Sequence, residues 1–562
     1  MCTFAYKYVN NALPRVFRNI VHPRFGSDIP NVTRTNVLFS VTRHRSKHDK
    51  LYHEATVRAP SKAHLGKIAK NLGLDLDDDE LSAYQRSIKD ACDAINEVEC
   101  LPEPLLPTKY PRVPGHRPTP EENPLNAWYW KTNITGAESG KLLGKTVAVK
   151  DNIAVAGVPM MVGCSALEGY VPEFDATVVT MLLDQGARVT GKSVCESLCG
   201  AGASYTCNKG PVKNFHKPDH NAGGSSGGSA TLVASGEVDL ALGSDQGGSV
   251  RIPSCWCGVV GLKPTFGLVP YTGAMAFEPS VDHLGPIARS VYDCALFLEV
   301  LAGYDNGLDP RQRSDMKVPQ YTTEMIVESL EGFKIGVINE GFEWKTTDDE
   351  VERTVRGSVS KLQDAGAKVE QVSIPLHAKG HILWRMVFCE GFADTTFHSG
   401  GVGRGSCGFH ATSMSSFVSK SFKTRINDVG PSPKLLYLLG QYFAESYPGV
   451  IYNKGQNLRR LLAKQYDDAL NKFDVLALPT IPFTAPRLPD KNISTADYLA
   501  NLGNISVNTR PTNLTGHPAI SLKAGFHHVN GLPIGTMLIS KHFDEVTLFK
   551  VASHFERLNS SA

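Results

Sequence analysis

The sequence predicts an α/β fold with an open mixed sheet flanked by helices. Residues 146–149 form a short apolar segment typical of a buried strand, and residues 176–185 form a helical segment that ends before a glycine. The same pair of patterns returns at residues 333–338 and 349–365, while residues 238–242 form another apolar strand. Short buried strands that alternate with helices are typical of α/β proteins.

The first fifty residues differ in composition from the rest of the chain. Four lysines or arginines precede the first acidic residue, Asp28. A basic, acid-poor start resembles a mitochondrial transit peptide. A disordered basic arm is the alternative, and it is favoured because prolines interrupt any helix here. We therefore expect a cytoplasmic protein, with mitochondrial import as the alternative.

Four further segments follow this basic arm. Residues 51–120 are predicted to form a helical segment followed by a proline-rich linker. Residues 121–375 and 456–562 carry the strand and helix pattern and are predicted to be the two parts of one core. Residues 376–455 interrupt that pattern with a glycine-rich stretch, so they are predicted to be an inserted small domain.

Composition excludes several classes of function. The 562 residues are 41% hydrophobic and 20% charged, with a net charge of only +2. We therefore expect no nucleic-acid partner, and no apolar stretch reaches the roughly 20 residues of a membrane span. The twelve cysteines lack the paired spacing of a zinc site and indicate a reducing compartment. No metal and no cofactor are expected at the catalytic site.

Two glycine–serine clusters contain candidate catalytic serines. Ser249 follows two glycines, which let the backbone turn tightly beneath a reacting carbonyl. The N–H groups of Gln246, Gly247, Gly248 and Ser249 are predicted to converge on an oxyanion. Taken alone, this loop is also compatible with a tight turn that carries a surface serine.

Ser225 lies in the other cluster and Lys150 lies upstream of both. The sequence around Ser225 matches the G-x-S-x-G nucleophile elbow, which requires a downstream histidine such as His517. No strand pattern precedes Ser225, however, and an elbow needs one. Lys150 follows an apolar strand. Burial at this position would remove water from the amine and lower its pKa, which makes a lysine a usable base. A lysine that reaches the solvent is the alternative.

These motifs in combination resemble the amidase signature family over residues 125–375 and 455–558. The resemblance rests on Lys150, on the two glycine–serine clusters with their spacing, and on the segments 261–265, 282–286 and 513–521. It implies that Ser249 is the nucleophile, that Ser225 is a relay serine after a cis peptide bond, and that Lys150 is the base. It also places four residues on an oxyanion or substrate loop: Asp245, Gln246, Gly247 and Gly248.

Two departures from the common family pattern indicate a subgroup. Gln246 stands where many members have threonine, and Ala222 stands where many have proline. The glutamine at position 246 resembles the pattern of bacterial amidases that hydrolyse amides arising from nitriles. We therefore expect an amidase that cleaves small-molecule amides to carboxylate and ammonia or amine, and that forms a homodimer.

Two other functions stay open at this point. The first is that of an amidotransferase A subunit, which acts within a complex on misacylated tRNA. The second is a non-catalytic scaffold derived from an amidase, although Lys150, Ser225 and Ser249 are all present.

Overall fold

A computed structural model describes residues 57–99 and 101–559, and these fall into two compact units divided after Leu101. The first unit contains helices α1 (Lys62–Asn71) and α2 (Asp78–Glu99), which pack against each other. The side chain of Ser61 accepts a hydrogen bond from His64 N and so caps the start of α1. The predicted basic arm of residues 1–50 lies outside the described residues.

The second unit is built on one open sheet of eleven strands. The strands are β1 (Trp128–Thr135), β2 (Thr146–Lys150), β3 (Arg188–Ser193), β4 (Leu240–Asp245), β5 (Val260–Lys263), β6 (His283–Ala288), β7 (Lys334–Ile338), β8 (Lys368–Val372), β9 (Val475–Pro479), β10 (Ala519–Phe526) and β11 (Pro533–Ile539). Their order in the sheet is β1-β3-β2-β4-β6-β5-β10-β11-β9-β7-β8.

This sheet is mixed, as the sequence predicted. Strand β2 runs parallel to β3 and β4, and β7 runs parallel to β8 and β9. The remaining pairs, including β4 with β6 and β10 with its two neighbours, are antiparallel. The α/β fold with an open mixed sheet is therefore confirmed.

Helices accompany the sheet along the whole second unit. They are α3 (Thr177–Asp184), α4 (Gly227–Ala234), α5 (Arg251–Cys257), α6 (Val291–Leu301), α7 (Tyr321–Glu324), α8 (Asp349–Ser360), α9 (His377–Phe392), α10 (Thr412–Arg425), α11 (Pro431–Ser446), α12 (Val450–Leu470), α13 (Thr495–Ala500), α14 (Arg510–Thr515) and α15 (Glu545–Asn559). None of the helices in the described part of the chain is both long and apolar enough to cross a membrane.

Strand β2 is buried on both faces, which explains its continuous apolar sequence. Val147 and Val149 point into one apolar cluster, whereas Ala148 between them points into another. Alternate side chains of a strand leave on opposite faces, so a strand covered on both sides needs apolar residues throughout. The last residue of β2 is Lys150, which is consequently delivered into the interior.

The segment predicted as an inserted domain is mostly helical. It contains α9, α10 and α11, and it continues into α12. Helix α9 packs against α11, α12 and α14, so it joins this segment to the C-terminal part of the core. Residues 376–455 lie in the same compact unit as the sheet. Their status as a separate domain stays a prediction, as do the other domain boundaries.

Candidate active site

The structure brings Lys150 and Ser225 into direct contact. Lys150 Nζ lies 2.6 Å from Ser225 Oγ, and both side chains are fully buried. The same nitrogen lies 2.8 Å from Ser244 Oγ and 3.1 Å from the carbonyl oxygen of Ser244. A lysine side chain is a hydrogen-bond donor, and Lys150 Nζ donates to all three of these oxygens, two of Ser244 and the hydroxyl of Ser225.

The loop that carries Ser225 is held tightly by its neighbours. The Gly224–Ser225 peptide bond is cis. A Cβ atom at position 224 would collide with the carboxylate of Glu196, so only glycine allows this close approach. Ser226 N donates to the carbonyl oxygen of Ser249 over 3.1 Å, which joins the two glycine–serine loops. Helix α4 begins directly after Ser226.

The nucleophile-elbow alternative for Ser225 is wrong. Residues 220 and 221 form only isolated bridges, so no strand leads into the loop at Gly223. The ring nitrogens of His517 lie 2.9 Å from Thr515 Oγ1 and 3.1 Å from Asp467 Oδ1, while Ser225 contacts Lys150. Ser225 therefore has a lysine beside it instead of the histidine that an elbow requires.

Ser249 lies two residues before the start of α5, on the loop that was predicted to hold an oxyanion. Its side chain is buried to all but 6% of its surface. The N–H groups of Gln246, Gly247 and Ser249 have no hydrogen-bond acceptor within the described residues. The structure corrects the prediction for Gly248, because its N–H donates to Asp245 Oδ1 over 2.7 Å. Three of the four predicted donors thus remain available.

Asp245 holds the loop in place through hydrogen bonds to its carboxylate. Its carboxylate accepts hydrogen bonds from five donors, namely Gly248 N, Val250 N, Arg251 Nε, Arg251 Nη2 and Asn513 Nδ2. Burial alone would raise the pKa of Asp245, but the charge and hydrogen bonds of Arg251 outweigh burial and hold that pKa well below its usual value. Asp245 is therefore a saturated carboxylate that shapes the loop, and it has no lone pair to spare for a substrate.

Two side chains from distant parts of the chain fix the carbonyl groups of this loop. Trp384 Nε1 donates to the carbonyl oxygen of Gln246, and Thr509 Oγ1 donates to that of Gly247, both over 2.7 Å. Within one trans peptide unit the carbonyl and the N–H group point in opposite directions. Holding the Gln246 carbonyl against Trp384 consequently directs the free N–H group of Gly247 away from the indole.

An aromatic and cationic stack lies behind the loop. Trp384 stacks on Phe388 with ring centroids 4.1 Å apart, and Arg510 lies over the Trp384 ring at 4.1 Å. Burial lowers the pKa of Arg510 to about 9, and its Nε has no hydrogen-bond partner within the described residues. Sequence analysis did not find Trp384, Thr509 or Arg510, because none of them lies in a motif with local catalytic spacing.

Cys199 is another neighbour of the central pair that sequence analysis missed. The side chains of Cys195, Lys150 and Ser225 lie close enough to Cys199 to act on the pKa of its thiol. Burial raises the pKa of Cys199, but the hydrogen bond from Cys195 and the charge of Lys150 outweigh burial and lower it overall. Leu198 and Cys199 both have left-handed backbone angles, with φ of 48° and 52°, and both residues are buried.

The family assignment follows from comparison with known proteins. The Amidase family model matches residues 115–549. The chain belongs to this family, and it is an enzyme that hydrolyses amides. It is 43% identical over 439 residues to an enantioselective amidase of Rhodococcus rhodochrous, covering 78% of this chain and 84% of that protein.

More distant relatives share the same architecture. The A subunit of the glutamyl-tRNA(Gln) amidotransferase of Methanosarcina mazei is 37% identical, over 74% of this chain and 85% of its own length. The crystal structure of the corresponding protein from Thermotoga maritima superposes with a TM-score of 0.62 and 31% identity, over 75% of this chain and 85% of that one. The peptide amidase of Stenotrophomonas maltophilia superposes with a TM-score of 0.61 and 26% identity, over 75% and 84%.

Proposed function

We propose that amide hydrolysis proceeds through an acyl-enzyme on Ser249, with Ser225 as proton relay and Lys150 as base. The contact of 2.6 Å between Lys150 Nζ and Ser225 Oγ supports this proposal most directly. The bond from Ser226 N to Ser249 O joins the loop of Ser225 to the loop of Ser249, which supports a proton relay between them. A buried serine needs an adjacent base to become a nucleophile, and this pair supplies one.

The proposed reaction has two halves. Ser249 Oγ attacks the amide carbon, its proton passes to Ser225, and the Ser225 proton passes to neutral Lys150. The oxyanion is stabilised by the free N–H groups of Gln246, Gly247 and Ser249, and each such donor is worth about 2.7–4 kcal/mol of barrier. Lys150 and Ser225 then protonate the leaving nitrogen, and water hydrolyses the Ser249 ester. No metal or cofactor takes part.

Two measurements test the role of Ser249. The variant Ser249→Ala should keep the far-ultraviolet circular dichroism of the wild type and lose amide hydrolysis, whereas Ser360→Ala, an exposed helix serine, should stay active. Hydroxylamine added to the wild type should divert the acyl group to a hydroxamate, because it competes with water for the ester. Wild-type turnover by a folded Ser249→Ala protein would remove Ser249 from the mechanism.

The substrate is proposed to be a small amide, and the protein a homodimer in the cytoplasm without a nucleic-acid partner. The similarity to an enantioselective amidase supports a substrate with a stereocentre near the carbonyl. Ammonia release from a panel of aliphatic, aromatic and 2-substituted amides identifies the acyl group. Light scattering of the purified chain tests the dimer.

The amidotransferase relatives support a second candidate, in which the chain passes ammonia to a tRNA-bound acyl group within a complex. Gln246 in the loop favours the free amidase over this function. Hydrolysis of small amides by the purified chain alone supports the first candidate. Glutamine hydrolysis that requires other proteins of a complex would support the second.

A further inference from the structure

Arg510 carries a positive charge that no acidic side chain of the described residues neutralises. It is the first residue of α14, and its guanidinium lies over the indole ring of Trp384 at 4.1 Å. Its Nε is buried without a hydrogen-bond partner within the described chain. The charge that acts on it belongs to Arg385, which is a second cation. The guanidinium therefore has an aromatic partner but no anionic one.

Other arginines that stack on aromatic rings show the contrast. In the described part of the chain, four more lie over such a ring, namely Arg117, Arg311, Arg313 and Arg356. Each of these four forms an ion pair with an aspartate or a glutamate. An opposite charge at such short range cancels most of the field of the cation. The field of Arg510 is not cancelled in this way.

Keeping this charge in place costs stability. Burial, together with the charge of Arg385, lowers the pKa of Arg510 to about 9. A cation that loses water without gaining an anionic partner is destabilising to the fold. Groups in such unfavourable surroundings are concentrated at functional sites, so Arg510 calls for a functional explanation.

The uncancelled charge lies beside the proposed oxyanion loop. A Cβ atom at Gly247 would lie 3.4 Å from Arg510 Cγ, so the arginine side chain packs against the loop backbone. The indole under the guanidinium donates its Nε1–H to the carbonyl oxygen of Gln246 over 2.7 Å. That carbonyl and the N–H of Gly247 are the two ends of one peptide unit. Guanidinium, indole and peptide thus form a continuous series of polar contacts that ends at Gly247 N–H.

We propose that Arg510 is a positioning residue that strengthens Gly247 N–H as an oxyanion donor by acting through Trp384. A cation on the face of the ring attracts its π electrons, which makes the indole N–H a stronger donor. Successive hydrogen bonds polarise one another, so a stronger bond to the Gln246 carbonyl makes the Gly247 N–H more positive. The oxyanion forms only during the reaction, so the benefit is to kcat and not to KM. This inference rests on the acyl-enzyme mechanism proposed above.

Steady-state kinetics of two variants, with the best amide of the substrate panel, test the role of the charge. Arg510→Met should lose about 3–30-fold in kcat with KM nearly unchanged, because it removes the cation from the ring. Arg510→Lys keeps a cation there and should stay within about threefold of the wild type. Both variants should keep the far-ultraviolet circular dichroism of the wild type, because no ion pair is broken.

Arg356→Met is the matched control for loss of a stacked arginine. Arg356 lies 3.9 Å over Phe342, pairs with Glu352 and does not contact the loop, so its loss should leave kcat unchanged. A double variant tests the route of the effect. Because Arg510 acts through the indole N–H, Arg510→Met combined with Trp384→Phe should be no more than about twofold slower than Trp384→Phe alone.

Four results would overturn the inference. They are a wild-type kcat in Arg510→Met, equal losses in Arg510→Met and Arg510→Lys, losses that multiply in the double variant, and a rise in KM alone, which would make Arg510 a substrate-binding residue. Hydroxamate formation by the wild type tests the Ser249 ester separately. Hydroxamate formation together with a wild-type kcat in Arg510→Met would refute the role of Arg510 and leave the mechanism standing, whereas absence of hydroxamate would refute the mechanism itself.

Discussion

Trp384 donates its indole N–H to the carbonyl oxygen of Gln246 over 2.7 Å, and so a helix from the predicted insertion supports the proposed oxyanion loop. The two residues are 138 positions apart in the sequence. Gly247, the next residue of the loop, packs against the same indole ring, since a Cβ there would lie only 3.2 Å from it. The orientation of the Gly247 N–H group therefore depends on α9.

Trp384→Phe should reduce kcat while leaving KM nearly unchanged. The change removes one hydrogen bond to a loop carbonyl, which costs about 1–2 kcal/mol of transition-state stabilisation, or roughly a 5–30-fold loss of kcat. Trp130→Phe is the matched control. Trp130 Nε1 donates to the backbone oxygen of Pro114 over the same distance of 2.7 Å, but this hydrogen bond does not involve the loop. Equal kinetics of the two variants would contradict a role for Trp384 in positioning.

Lys150→Arg should lose at least about 100-fold in kcat, because a guanidinium cannot accept the proton that the base must take. Lys150→Met should be equally impaired. An active arginine variant beside an inactive methionine variant would show that position 150 supplies only positive charge. Lys368→Arg, at an exposed lysine of β8, is the control for the effect of a lysine-to-arginine exchange alone.

Lys150 and the two serines could be predicted because local sequence places them. A strand buried on both faces must be apolar throughout, so a lysine at its end is conspicuous, and β2 ends at Lys150 as expected. The glycines around Ser225 and Ser249 mark tight turns for the same local reason. Each of these features depends on a few neighbouring residues, and a single sequence displays them directly.

The supporting residues could not be predicted, because their contacts are long-range. Thr509 and Arg510 meet the loop only when α14 packs against α9, and neither residue lies in a catalytic motif. The engagement of Gly248 N–H by Asp245 was missed for a different reason. A glycine-rich loop offers several N–H groups, and only the folded side chain of Asp245 decides which of them is already used.

Asp245→Asn should lower the free energy of unfolding by about 3–5 kcal/mol, because Arg251 then stays buried without its charged partner. Urea denaturation followed by circular dichroism measures this loss. The exposed pair between Asp315 and Arg313 is the control, and Asp315→Asn should leave the unfolding midpoint unchanged within error. A midpoint shift of similar size in both variants would contradict the importance of burial.

The same ion pair predicts a pH dependence of stability. The folded-state pKa of Asp245 lies below its unfolded value of 3.8, so the folded protein binds fewer protons near that pH. Its contribution to stability is therefore complete above about pH 4 and is lost as the pH falls further. Asp245→Asn should have a shallower loss of stability between about pH 5 and pH 3 than the wild type, measured by urea midpoints across that range.

Cys199 leads to the last prediction, which concerns oxidation by hydrogen peroxide. Its pKa is lowered by the Cys195 hydrogen bond and the Lys150 charge in spite of burial, and a thiolate is the form that attacks a peroxide. Cys199 sulfur displaces hydroxide from the O–O bond and becomes a sulfenic acid. Cys195 sulfur then attacks it, water leaves, and a disulfide remains. Cys195 lines a cavity of about 210 Å³, and Cys199 keeps 6% of its surface exposed.

Peroxide should therefore inactivate the wild type, because an oxidised sulfur at position 199 changes the surroundings of Lys150 and Ser225, and dithiothreitol should restore activity. Mass spectrometry should find peptides that contain residues 195 and 199 linked, with the loss of two hydrogens. Cys195→Ala should also be inactivated, without the link. Cys294→Ala is the control, because burial raises the pKa of Cys294 well above normal and keeps it protonated. Inactivation of the wild type that leaves Cys199 neither linked nor oxidised would place the sensitive thiol elsewhere in the chain.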